Sequence, residues 1–411
     1  MAIWNRPAPA AAAPAPPPPT EPPAWQAPTE VERGLYEAKW RGDWDAYWRI
    51  LASADLFHPM SRAFAEANPG RVVDTVSLLP QVRATGHVYL THGMLPAPAP
   101  DPVFYRTSLG SLAGHWTESV PWLAINPGTP CEALFPATPG HRAQWAEHAR
   151  RAPEEPPRSL RTLWVGGPLQ GPVARGLACG ALLLVNNNLL WNSMGYHGSG
   201  FTGERRLLEK WWGVTSRADW KSTLTRLLNA DMAGGIWEFV LEIRQALSRE
   251  YGGPIEPAHW REVTGRVMRR QAEAAENRSE AALEAEIRRV GQLIGRITRY
   301  EARFRADGLL GEHKQVRSVL SWDYGRASAM ARWGLGARFC DLPEAEHAVI
   351  EAGRAAQRDY HSWADFSAGY ILGRCLHFDD EEFGNWYQDV LEAHRLLMSD
   401  PQSPWLTIPW Q

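Results

Sequence analysis

Residues 322–336 open with Trp322-Asp323-Tyr324-Gly325-Arg326 and close with Ala331-Arg332-Trp333-Gly334-Leu335-Gly336. Asp323 and Arg326 stand three apart, the spacing that puts two side chains on one helical face. Gly334 and Gly336 either end that helix at a left-handed residue or let a second helix approach closely. The stretch reads as a helix, and the pattern stays helical over the segment from about Gly176 to Trp410. Further along, Arg374 follows Tyr370 by four residues and shares its face. A charge on the apolar face of a helix is costly unless paired. Asp323, Arg326, Arg332, Tyr370 and Arg374 therefore admit two readings. Either Asp323 locks two helices by pairing with an arginine, or the arginines recognise a phosphate or carboxylate while Asp323 orients them. The second reading requires a concave pocket where these side chains converge.

Helix boundaries around this stretch are marked. Ser216 with Asp219, Asp341 with Glu344, and Ser362 with Asp365 each place an N-cap three residues before an acid. Trp211, Trp212, Trp220, Trp237, Trp322, Trp333 and Trp363 supply large surfaces for a core, each indole N–H needing an acceptor. Leu283, Ile287, Val290, Ile294, Ile297 and Phe304 recur at intervals of four and three, with Glu301 at one missed turn. The stripe fits a long amphipathic helix docked on its own bundle, and it also offers a heptad seam for a homo-oligomer or a protein partner. Gly176 to Trp191 is an apolar run interrupted by Asn186, Asn187 and Asn188, which form either a capping turn or a polar site inside the bundle.

The preceding chain has another texture. Residues 1–28 are almost all Pro and Ala, broken by Trp4 and Trp25, and read as a disordered tail or a docking segment. A helix is expected from Thr29 to Ala54, capped by Thr29 with Glu32 as the capping-box acid. Along it Leu35, Tyr36, Trp40, Trp44, Trp48 and Leu51 lay an aromatic core stripe. Val72 to Leu79, His87 to Leu90, Val103 to Arg106 and Trp122 to Ile125 are short β-prone runs, and Asn126-Pro127-Gly128 is a turn. The expected fold class is α+β. A small mixed-sheet domain spans 29–148, a linker rich in Pro, Arg and Glu spans 149–175, and a mostly α-helical domain spans 176–411.

Composition excludes several function classes. The 411 residues carry 43 Lys and Arg against 46 Asp and Glu, a net charge of −3 that does not suit a nucleic-acid coat. The arginines from Arg266 to Arg299 are offset by glutamates. No apolar stretch is long enough to span a membrane, the start lacks a secretory pattern, and four scattered cysteines suit a cytoplasmic protein. No phosphate-binding glycine loop, dinucleotide fingerprint, nucleophile elbow or metal-ligand spacing occurs, so no cofactor and no metal are expected. His197 reads as a loop histidine or as a general acid or base that lacks an identifiable partner, and Asp379-Asp380-Glu381-Glu382 as a helix-start or solvent-facing charge run or as a run that attracts a cation.

Two resemblances accompany these residues. Gly42-Asp43-Trp44 leading to Ala54-Asp55-Leu56, Thr107-Ser108, and Trp122 through Gly128 make the segment from Glu32 to Trp145 similar to the N-terminal domain of the SseB family of bacterial proteins. Trp211-Trp212-Gly213-Val214, the two blocks of 322–336, Ser362 through Phe366, Gly369 through Arg374 and Pro404-Trp405 resemble the YbeU/YbeR-like bacterial domain of unknown function, catalogued as 1266. The chain departs from that pattern at Asn229 through Gly234, where the family has a Gly-His-Arg-like step. Neither resemblance implies catalytic residues. Caps, glycines and tryptophans without a convergent nucleophile, base or metal set lead to one expectation: a non-enzymatic cytoplasmic adaptor with a protein partner, linked to a secretion or toxin-delivery system. The competing expectation is an enzyme or sensor that binds an anionic small molecule through the Asp/Arg cluster.

Overall fold

The computed structural model describes residues 24–68, 76–95, 101–154, 158–195, 198–274 and 279–411. Residues 1–23 of the tail with its Pro17 to Pro19 run, His197 and Arg278 lie outside them, whereas Trp25, expected in the tail, packs on Tyr36 at 5.2 Å. The N-terminal unit starts with α1 (Glu30–Arg41), α2 (Trp44–Ala52), β1 (Leu56–Ser61), α3 (Arg62–Ala67), β2 (Val76–Leu79) and β3 (Ala84–Tyr89). It continues through β4 (Pro102–Thr107), α4 (Leu109–Gly114), β5 (Trp122–Ile125), β6 (Ala133–Pro136) and α5 (Pro139–Arg151). Strands pair as an antiparallel β1–β4 ribbon and a mixed sheet in the order β2-β3-β5-β6, parallel only between β3 and β5. A bridge between Phe57 and Leu90 joins the two.

The single helix expected over 29–54 is two helices. Gly42 sits at φ 67°, the left-handed region that suits glycine, and Asp43 caps α2 by accepting from Ala46 N at 2.9 Å. The aromatic stripe is broken with it: Leu35, Trp48 and Leu51 are buried, whereas Trp40 and Trp44 are 38% and 44% exposed. Thr29 caps α1 as expected, accepting from Val31 N at 3.2 Å, but Glu32 does not close the expected capping box. Its buried carboxylate takes Thr29 and Thr91 hydroxyls and the Gly93 N–H, pinning the first turn of α1 to the 91–93 turn. Trp48 packs on Phe135 at 4.1 Å and near Trp145, forming the core with Leu123 and Ile125.

The C-terminal part is helical: α6 (Gly171–Cys179), α7 (Ala181–Asn186), α8 (Gly200–Trp212), α9 (Arg217–Leu228), α10 (Gly235–Tyr251) and α11 (Pro257–Ala274). There follow α12 (Glu280–Ala306), α13 (Leu320–Gly336), α14 (Leu342–Asp359), α15 (Trp363–Phe378), α16 (Asn385–Ser399) and α17 (Pro404–Thr407). Residues 322–336 are the middle of the bundle. α13 is buried on almost every side and touches α6, α7, α8, α9, α14 and α15. Gly334 makes this possible: a Cβ there would collide with Trp220 Nε1, which donates to Met330 O at 3.0 Å. The left-handed residue that ends α13 is Arg338, at φ 60°, rather than either glycine.

Caps at Ser216 and Asp341 are reciprocal boxes with Asp219 and Glu344. Ser362 caps α15, and Asp365 reaches back past the cap, accepting from His361 N at 3.1 Å and from Arg317 Nε at 3.0 Å. On α12, Val290, Ile294, Ile297 and Phe304 face the chain's own bundle, while Leu283 and Ile287 are half-buried against it. Glu301, at the missed turn, is buried and paired with Arg244 at 2.7 Å. Trp211 departs from the expected core set at 65% exposed. The acidic run is also partly internal: Asp379 is buried and accepts from Tyr300 Oη at 3.0 Å. No helix among the described residues is long and apolar enough to cross a membrane.

The two parts meet along β4 and α8, with a bridge between Tyr105 and Gly200 and the Arg338 guanidinium on Pro102 O. Residues 161–163 of the segment between them are tied to the turn at 190–192. Trp191 N donates to Arg161 O at 3.0 Å, and Leu163 N to Asn192 Oδ1 at 2.8 Å.

Candidate functional site

Where the two parts meet, a cleft of about 1310 Å³ opens. One wall is α8, whose Glu204, Leu207 and Trp211 recur at helical intervals and face it. The floor is the turn after α7, Asn186 to Leu189. The asparagine triplet is a capping turn, with Asn188 at φ 58°, and it lines the cleft. The opposite wall is α13 and α15, which contribute Trp322, Arg326, Tyr370 and Arg374.

Of the five side chains singled out in the sequence, three line this cleft and two lie behind it. Asp323 is fully buried; it pairs with Arg326 and accepts from Met232 N at 2.8 Å and Ala233 N at 2.7 Å. Arg326 lies flat on Trp322, 3.5 Å from its ring centre, with Trp212 at 5.6 Å. Burial pulls its pKa down, and the neighbouring Asp323 carboxylate works against that. Arg332 serves the fold: it is buried and donates to Leu190 O at 2.7 Å and Trp191 O at 3.1 Å.

Tyr370 and Arg374 differ from these. The Tyr370 ring is seated against α13 at Gly325, where a Cβ would come within 2.6 Å of Cε2. Its hydroxyl has no hydrogen-bond partner among the described residues. Burial raises its pKa, and Arg374 and Arg326 both oppose the rise, so the phenol stays neutral between two cations. Arg374 is 8% exposed and stacks near Trp386 at 5.1 Å and Phe378 at 5.7 Å. Nε donates to Trp386 O at 3.3 Å, but the terminal nitrogens bond nothing, and no carboxylate lies within ion-pair distance among the described residues.

Sequence reasoning missed His377, Phe378, Trp386 and Glu204. The first two continue the face of Tyr370 and Arg374 along α15, so extending that periodicity finds them. Trp386 and Glu204 carry no local signal. Glu204 is buried, accepts at Oε1 from Ser199 N at 2.8 Å, and leaves Oε2 without a partner. Burial pushes its pKa up to about 7.

Other chemistries are weakly supported. Ser367 Oγ and His394 Nδ1 lie 2.8 Å apart, but both are buried outside the cleft lining, and burial lowers His394 to about 4. The four cysteines are free and buried, which lifts the Cys179 and Cys340 thiols to about 12. Among the described residues no group of three or more His, Cys, Asp or Glu is placed to hold a metal ion.

Residues 207–410 match a family described as "Protein of unknown function (DUF1266)". Arg326, Tyr370, Arg374 and Trp386 fall inside the matched residues; Asn186, Glu204 and the N-terminal unit fall outside. No curated protein and no solved structure matches the chain.

Proposed function

We propose that this chain is a ligand-binding protein whose cleft takes a small molecule carrying a carboxylate or phosphate on an aromatic or apolar body. One observation carries the reading: Arg374, almost completely buried, keeps its terminal nitrogens unbonded at a wall lined by Tyr370, Trp322 and Trp386. The terminal nitrogens are open to the cleft, so an incoming anion takes charge-assisted hydrogen bonds from them without breaking any bond within the chain. Asp323 and Arg326 act as the support that holds the aromatic wall, with Asp323 outside the ligand's reach. Naphthoate titrated against the full chain, followed by tryptophan emission, is expected to bind saturably. Arg374→Gln should weaken it about tenfold or more, the loss of roughly 1.4 kcal/mol or above, with an unchanged melting temperature. Equal affinity in wild type and variant speaks against the site.

A second reading keeps the adaptor role, cytoplasmic and tied to a secretion or toxin-delivery system, with an SseB-like N-terminal unit and a YbeU/YbeR-like helical domain. What favours it is the cleft rim, where Trp211 is 65% and Trp386 44% exposed. Exposed aromatic residues beside a pocket are the kind that anchor partners. A pull-down in which Trp211→Ala with Trp386→Ala releases a protein held by the wild type supports this reading; recovery of nothing specific counts against it.

A further inference from the structure

Five arginines outside the pair with Asp323 bear on the cleft or its floor, and four of them are accounted for or already assigned. Arg158 bridges Asp389 at 3.4 Å and also Glu392, Arg106 bridges Asp55 at 2.7 Å, Arg332 is spent on backbone carbonyls, and Arg374 is the anchor described above. The fifth, Arg161, lines the same cleft and is half-buried, and among the described residues its guanidinium has no hydrogen bond and no ion pair. Asp55 attracts it from further away, but that carboxylate is already bonded to Arg106, whose own charge repels Arg161. Its backbone is fixed by the bonds to Trp191 and by the parallel bridge to Leu190, so the side chain projects from a rigid support.

Arg161 and Arg374 are tied to different stretches of the lining. Arg161 interacts with Asp55 and Arg106 of the N-terminal unit, and Arg106 in turn with Glu204 at the start of the α8 wall. At the other end of that wall Trp212 contacts Arg326, which neighbours Tyr370 and so Arg374. From Glu204 to Trp212 the helix rises on the order of 10 Å. The wall between is apolar and aromatic, with Leu207, Leu183 and Leu189 facing the cleft. The acid that faces Arg161 is Asp55, already bonded to Arg106, while burial pushes Glu204, at the start of the α8 wall, up to about 7.

We propose that Arg161 is a second anion anchor in this cleft and that the ligand class is an elongated dianion, with an acidic group at each end of an apolar or aromatic body. The inference rests on the ligand-binding reading and deepens it. Calorimetric titration of the full chain with biphenyl dicarboxylate and biphenyl monocarboxylate tests it. Wild type is expected to prefer the diacid by about tenfold, the gain of a second charge-assisted contact. Arg161→Gln should erase that preference and leave the monoacid unchanged; Arg161→Lys should keep part of it; Arg374→Gln should weaken both acids. Terephthalate, too short to span the wall, should gain nothing over benzoate. A diacid-to-monoacid ratio near one, or a preference that survives Arg161→Gln, overturns the second anchor while the effect of Arg374→Gln leaves the site standing. Terephthalate gaining as much as the biphenyl diacid also overturns it, since both acids would then sit at one end. If neither biphenyl acid binds, or Arg374→Gln weakens neither, the site reading falls and the second anchor with it.

Discussion

Asp323 and Arg374 are both buried charges in the same domain, and their surroundings assign them opposite duties. Asp323 has a cation and two backbone N–H donors around it, so its charge is satisfied within the chain. Arg326→Met is therefore expected to cost about 3 kcal/mol, at the lower end for a broken buried pair because the two N–H donors remain. Arg374→Gln should change stability by less than about 1 kcal/mol, since no acid is abandoned. Urea unfolding of the two variants checks the contrast, and equal losses would erase the distinction. The helical spacing of Asp323 and Arg326 made their pairing legible in the sequence. The donors from Met232 and Ala233 were not legible, because they approach from a segment some ninety positions away and leave no periodic trace.

Packing around α13 depends on close approach, which depends on what is missing from its side chains. Gly334→Ala must displace the Trp220 indole and its bond to Met330, and a cost of about 3 kcal/mol or more is expected. Gly291→Ala, in the interior of α12 with nothing within 4 Å of the new carbon, should instead stabilise by up to about 1 kcal/mol. Thermal denaturation of both tests whether glycine in this domain serves contact or is merely tolerated. Helix starts were the most legible elements, since an N-cap and its acid lie within one turn. The break between α1 and α2 was hidden because aromatic residues continue at four-residue intervals across Gly42, although the chain turns there and leaves Trp40 and Trp44 partly in solvent. β1 and β6 were also unread; Pro59 and Pro136 interrupt the β-prone pattern at positions that these short strands tolerate.

Across the whole molecule, one buried and one half-buried carboxyl set a dependence on pH. Glu204 and Glu238 are pushed up to about 7 by burial, from an ordinary value of 4.5. Between those values the native state holds more protons than the unfolded chain, so their stabilisation is complete below about pH 4.5 and is lost as pH rises through 7. His92 and His394, lowered to about 4, act in the other direction: their contribution is present above 6.5 and is lost as pH falls toward 4. Glu204→Gln should accordingly be about 3 kcal/mol more stable than wild type near pH 8 and nearly equal to it near pH 4. Unfolding curves at the two pH values measure this, and a gap of the same size at both contradicts a raised pKa.

The cleft itself was not legible as a whole. It is assembled from the 52–55 turn, β4, the segment at 158–161, the asparagine turn and five helices, and although the α8, α13, α15 and α16 walls each repeat at a helical period, no pattern along the chain says that they face one another. Diffraction from crystals soaked in para-bromobenzoate reads out the central claim most directly, because anomalous scattering from bromine locates the bound acid. The expected result is a bromine position inside the cleft with the carboxylate on Arg374 and Tyr370. Bromine found only on the outer surface, with the Arg374 guanidinium left bare, would contradict it.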